Sequence, residues 1–259
     1  MSALYPLAFL LGLAAGSFSN VCIWRMPRGQ SVLWPASRCP HCGVPIKARD
    51  NVPLLSYLLL RGRCRHCGHR ISARYPLVEA LSGALYVLIL WRFGPQVKTL
   101  FYLAFASALV VITFIDLEHQ IIPDEITLPG LALGLLAGWL FLADPFQRAS
   151  ALGLKASLLG ALVGFSLYYL IAVLSRGGMG GGDIKLMALV GAVEGYKGVL
   201  LSTLVGSFLG SLVGLYLMLF RGRGRKTKIP FGPFLALGAL VGLLWGQELL
   251  QLYMTYTWR

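Results

Sequence analysis

Apolar stretches separated by short polar breaks recur along the chain, and eight approach membrane length: 3–23, 77–93, 99–115, 126–143, 152–174, 184–196, 199–220 and 231–250. A helix needs about 20 apolar residues to cross a hydrocarbon core of about 30 Å. The pattern therefore predicts an all-α polytopic membrane protein with about eight transmembrane helices. The sixth stretch is short for such a core and predicts a helix that dips or tilts. Only the break at 25–76 is large enough to be a domain. Three parts follow: a first transmembrane helix over 1–24, a small loop domain over 25–76 and a seven-helix membrane domain over 77–259.

Composition agrees with this class. Hydrophobic residues make up 57% and charged residues 13% of the chain, with a mean hydropathy of +0.71, which excludes an ordinary soluble domain. The net charge of +13 first suggests nucleic acid, but its distribution points elsewhere. With an outside amino terminus, the breaks at 25–76, 116–125, 175–183 and 221–230 share one side and hold 16 of the 23 Lys and Arg, or 17 with Lys185. That bias is the positive-inside rule and assigns those segments to the cytoplasm. The run "RGRGRKTK" (221–228) then reads as a topology determinant, with no nucleic-acid partner. The first span ends in "LGLAAGSFSN", whose small residues could suit a signal-peptide cleavage site. No Lys or Arg precedes the span, however, and Arg25 and Arg28 follow it, which predicts a retained helix.

The loop domain carries "CPHCG" (39–43) and "CRHCG" (64–68). Two Cys-x-x-Cys pairs at this separation can surround one tetrahedral Zn²⁺ through Cys39, Cys42, Cys64 and Cys67. Fifty residues bury little core, so a structural metal would supply stability the chain lacks. Two disulfides are the alternative, disfavoured in a reducing cytoplasm. His41, His66 and His69 are spare candidates, and Cys22 reads as a small core residue.

Acids are few in the spans, and each needs a reason. Asp116 ends the third span and Asp183 begins the sixth, so topology puts both at the same depth on the same side. Two carboxylates brought close share a proton, as in aspartic proteases: one activates water while the other donates to the peptide oxygen. The titration belongs to the pair, so neither residue is assigned a fixed role. Gly180, Gly181 and Gly182 precede Asp183 and would let an extended substrate strand come close. Alternatively they form a flexible loop, with Asp183 as the N-cap of the next helix.

"MGGGDIKLMALVGA" (179–192) resembles the Gly-x-Gly-Asp motif of intramembrane aspartyl proteases. "TFIDLEHQIIPDEITLPG" (113–130), "GSFSNVCIWRMPR" (16–28), "NVPLLSYLLLRGRC" (51–64), "ISARYPLVEALSG" (71–83) and "IPFGPFLALG" (229–238) are similar to the bacterial prepilin peptidases and follow that family's order. The resemblance covers nearly the whole chain. It implies an inner-membrane endopeptidase that cuts the basic leader from type IV prepilins or type II secretion pseudopilins at the cytoplasmic face, with Asp116 and Asp183 as the catalytic pair. Asp124 belongs to the same motif and reads as structural, within the acidic first turn of a helix. Four-cysteine members also methylate the new amino terminus from S-adenosylmethionine, and Gly62 matches a glycine associated with that activity.

Three lesser expectations attach to this reading. Glu79 would pair with a basic loop residue or help bind the substrate amine. Glu118, Asp124 and Glu125 would form an acidic rim for leader lysines, or act only as helix-cap charges. Pro230 and Pro233 could line a substrate groove. The rival class is an ion- or proton-coupled transporter, which also uses intramembrane carboxylates and glycine-broken helices.

Overall fold

The computed structural model describes residues 3–175, 178–221 and 229–257. Arg176, Gly177 and residues 222–228 of the basic run lie outside them. The chain forms two compact units, Met1–Val111 and Ile112–Arg259, and the division falls inside helix α4 (Val97–His119).

In the first unit, α1 (Leu4–Arg25) packs along α3 (Arg74–Phe93). Small residues set that contact. A Cβ on Gly12 would lie 2.6 Å from the Ser82 carbonyl, and one on Gly16 would lie 2.7 Å from the Glu79 Cα. Helices in lipid gain little from hydrophobicity toward one another, so close backbone approach of this kind supplies their attraction. Between them the chain makes two short 3-10 turns, the short helix α2 (Leu55–Leu59) and two cysteine knuckles.

In the second unit, α5 (Asp124–Leu140), α6 (Gly153–Leu174), α7 (Gly181–Arg221) and α8 (Gly232–Thr257) pack together. The sequence predicts helix through 143. Instead α5 stops at Leu140, and a small antiparallel pair, β1 (Ala143–Asp144) and β2 (Gln147–Ala151), follows. Arg148 of β2 bonds Glu248 of α8 at 2.9 Å, and α8 runs past its apolar stretch to Thr257.

α7 contains the two predicted spans 184–196 and 199–220, joined at Gly195, whose φ of 74° and ψ of −179° are not helical. The chain doubles back there. On α6, Gly164 meets Met187, and Tyr168, one turn later, bonds the Thr203 hydroxyl at 3.1 Å. Met187 and Thr203 would be about 24 Å apart on a straight helix. The first arm, Gly181–Glu194, is only about 21 Å long, which accounts for the short sixth span. Gly160 and Gly191 meet backbone to backbone at the α6–first-arm contact, where neither position has room for a Cβ.

Six described helices are long and apolar enough to cross a membrane. With α7 taken as two arms and the slightly shorter α5 included, the spans number eight. This is a multi-pass membrane protein.

Candidate active site and cysteine cluster

Asp116 lies four residues before Gln120, where α4 unwinds into a left-handed residue with φ of 56°. It is buried, and its Oδ2 accepts the Gly232 backbone N–H at 2.9 Å. Gly232 opens α8, so this N–H has no partner within its own helix and faces outward with the positive end of the helix dipole. Pro233 follows and has no N–H to offer. A Cβ on Gly232 would lie 2.8 Å from Oδ2 of Asp116, so the contact requires glycine.

Asp183 is the third residue of α7 and is also buried. It is not the N-cap residue of that helix. Its Oδ2 reaches back to the Gly180 N–H at 3.3 Å, the acidic half of a capping box. Asp116 and Asp183 are near enough for their charges to interact. Ile122 sits between their supports: a Cβ on Gly182 would be 2.7 Å from the Ile122 Cβ, and one on Gly232 would be 3.2 Å from its Cδ1. The three glycines are therefore not equivalent. Gly182 is turned into Ile122, whereas a Cβ on Gly181 would meet nothing within 4 Å.

Asp124, at the start of α5, is held by Lys185 of α7 at 2.6 Å. The pair ties the first turns of α5 and α7 together. It also removes one of the three charges expected in the acidic rim; Glu118 and Glu125 are exposed. Pro230 and Pro233 flank the Gly232 that meets Asp116.

In the first unit, the sulfurs of Cys39, Cys42, Cys64 and Cys67 all lie within 4.8 Å of one another, and all four thiols are free. A tetrahedral thiolate site with metal–sulfur bonds of about 2.3 Å has sulfur–sulfur edges of about 3.8 Å, so the group fits a metal. The two knuckles are built alike. Gly43 N–H bonds the Cys39 carbonyl and Gly68 N–H the Cys64 carbonyl, each at 2.9 Å, with φ of 70° and 68°. The N–H groups of Cys67 and His66 hold the Cys64 thiol down at about 7. His41 and His69 stack on each other with centroids 4.2 Å apart and are not part of the cluster.

Gly62 turns the chain after α2 with φ of 65°, and a Cβ there would come within 3.0 Å of the Tyr57 ring. The residue shapes a turn that the Tyr57 ring covers. Glu79, expected to meet a basic loop residue, instead accepts the Leu54 backbone N–H at 2.8 Å and a bond from Ser17.

Sequence reasoning passed over Glu194, although an acid inside "ALVGAVEGY" is a visible signal. It is 1% exposed beside the Gly195 turn, and neither carboxyl oxygen has a hydrogen-bond partner. It stands about 16 Å along the arm from Asp183, so the intramembrane acids do not all sit at one face. Ile122 and the Gly232 N–H were likewise missed. The "IPFG" motif signals only that residue 232 matters.

Comparison with known proteins agrees with this architecture. The bacterial peptidase A24 N-terminal domain matches residues 10–93, and the type IV leader peptidase family matches 103–215. A prepilin leader peptidase/N-methyltransferase of Pseudomonas putida is 39% identical, covering 94% of this chain and 91% of the relative. The protein of the same description from Aeromonas hydrophila is 39% identical over 97% and 94%. That from Legionella pneumophila is 35% identical over 98% and 95%. No solved structure matches the chain. Two family models in tandem, together with relatives this similar over nearly their full length, place the chain in the type IV leader peptidase family.

Proposed function

We propose that this protein is an aspartic endopeptidase of the inner membrane. It removes the basic leader from a type IV prepilin or type II secretion pseudopilin at the cytoplasmic face, then methylates the new amino terminus. The reading is supported by two buried carboxyl groups, Asp116 and Asp183, whose charges interact, and by Gly182 and Gly232, which both lie against Ile122.

In this mechanism the pair holds one proton. The ionised member takes a proton from water as that water attacks the scissile carbonyl carbon. The protonated member donates to the carbonyl oxygen, and collapse of the tetrahedral intermediate passes a proton to the leaving nitrogen. The Gly232 N–H donates to Oδ2 of Asp116 and fixes the orientation of that carboxyl group. An extended substrate strand approaches over Gly180 and Gly181, and Gly182 instead fixes the wall behind Asp183.

Residues 1–24, 25–76 and 77–259 serve as first helix, metal-binding domain and catalytic membrane domain. The amino terminus lies outside, and the cysteines and aspartates lie on the cytoplasmic side. Ten of the 23 Lys and Arg fall in 25–76, which supports that orientation. Cys39, Cys42, Cys64 and Cys67 would hold Zn²⁺, whose bonds brace a domain with little core. S-adenosylmethionine, when bound, would supply the methyl group. Gly62 sets the turn between Tyr57 and Cys64 and would bear on methylation at least through that turn.

Purified protein, incubated with a synthetic prepilin and followed by mass spectrometry, tests the reading. Trimming should vanish in Asp116→Asn and in Asp183→Asn and persist in Asp124→Asn. Normal trimming by either of the first two variants removes the pair. Trimming with no further mass gain in the presence of S-adenosylmethionine removes the methylation step alone.

A further inference from the structure

The cysteine domain is polar by composition, yet its short helix is built inside out. In α2, Ser56 and Tyr57 turn inward. The Ser56 hydroxyl bonds the Arg49 carbonyl and accepts the Val52 N–H, and the Tyr57 ring covers Gly62. Leu55, Leu58 and Leu59, spaced to share one helix face, point away from the rest of the first unit. Leu58 and Leu59 are 71% and 72% exposed. No function so far assigned uses them.

The depth of this face follows from the chain itself. The Leu54 N–H, one residue before α2, bonds Glu79 at 2.8 Å. Glu79 is the sixth residue of α3, a candidate membrane span that starts at Arg74. α2 is therefore pinned about 7 Å along a membrane helix from its end. A second apolar projection has a similar position. Trp34, 77% exposed, lines one cavity of about 470 Å³ with Trp24, next to last in α1, and Tyr75, second in α3. Residues 25–74 carry ten Lys and Arg against one acid, Asp50, which Arg65 occupies at 2.7 Å.

We infer that α2 and the Leu33–Trp34 turn lie in the headgroup–acyl boundary of an anionic leaflet, so that the cysteine domain is docked on the membrane. Leucines and a tryptophan on one side with basic residues around them are the two signals such docking uses. The occupant of the face is lipid because the face is held at bilayer depth by a bond to a spanning helix. The inference does not rest on the peptidase reading.

The test places a reporter on the face. Leu58→Trp is introduced, the protein is reconstituted in nanodiscs containing an anionic phospholipid, and its emission above wild type is measured. Lipids brominated high on the acyl chain should lower that added emission at least about twofold, and aqueous iodide should leave it unchanged. Quenching by iodide without quenching by bromine would show the face in water and overturn the inference. Protection from both quenchers would show the face covered by protein, a second copy included, and overturn it equally. Leu59→Trp, one residue along the same face, repeats the measurement should the first variant fail to fold.

Discussion

Replacing Gly232 by alanine puts a methyl group 2.8 Å from the Asp116 Oδ2, 3.2 Å from its Cγ and 3.2 Å from the Ile122 Cδ1. A methyl carbon needs about 3.3 Å or more from such atoms. Either the carboxyl group or the start of α8 must therefore retreat by about 0.5 Å. The 2.9 Å bond from the Gly232 N–H to Asp116 stretches or breaks. A bond to a charged acceptor contributes about 1.5–3 kcal/mol. The gain from alanine over glycine in a helix is about 1 kcal/mol at most and smaller in its first turn, so the loss wins and the variant is less stable by about 1 kcal/mol. For catalysis, a misplacement of 1 Å can cost about 100-fold, so half that displacement should lower kcat about 10-fold. The displacement acts on Asp116 itself, so KM should stay near its wild-type value. Steady-state trimming of a synthetic prepilin, with thermal unfolding measured alongside, gives all three quantities. Wild-type kcat in a correctly folded Gly232→Ala protein would show that Asp116 does not depend on α8 and would refute the geometry.

Gly181→Ala and Gly182→Ala should part company. The first, open on its outer side, raises KM with little change in melting temperature, and the second, facing Ile122 at 2.7 Å, lowers stability by about 1–3 kcal/mol, with melting and trimming measured on both. Glu194→Leu should stabilise the protein by about 1–3 kcal/mol in a detergent melt, since it removes a buried carboxyl group with no partner; a lower melting temperature would mean that Glu194 holds a bonded group. Stripping the cysteine cluster with a chelator, or making Cys39→Ser, should release one metal per chain and open residues 38–70 to protease, with α6–α8 left protected. The Arg65 guanidinium holds Asp50 below its ordinary value of 3.8. The contribution of that ion pair is therefore present above pH 3.8 and fades as pH falls below it. Arg65→Gln should speed hydrogen exchange near residue 50 at neutral pH, with the difference from wild type shrinking as the pH is lowered below 3.8.

The spans were readable because each depends on a run of neighbours. Apolar length located every crossing, and the glycine at 195 lies next to last in the predicted sixth span, just before the break at 197–198. The cysteine cluster was readable for a related reason: two knuckles with fixed local geometry need only one loop to bring them together. What the sequence concealed is long-range. Asp116 and Gly232 are 116 residues apart, and no periodicity links a carboxyl group to a backbone N–H. Ile122 looks like any apolar residue before a proline. Glu79 shows a charge that suggests a cation, while its partner is a main-chain amide that carries no letter in the sequence. The strands at 143–151 follow a helix whose apolar run continues past its end, so composition gave no stop signal there.

The turn at Gly195 sets more than the length of one arm. A single left-handed residue makes α7 cross twice, so the strand of chain leaving it emerges on the side where Asp183 began. A side chain that straightened this joint would invert the parity of every later crossing. Gly232 would then begin α8 from the far leaflet, out of reach of Asp116, so the sidedness of the last quarter of the chain depends on that one torsion.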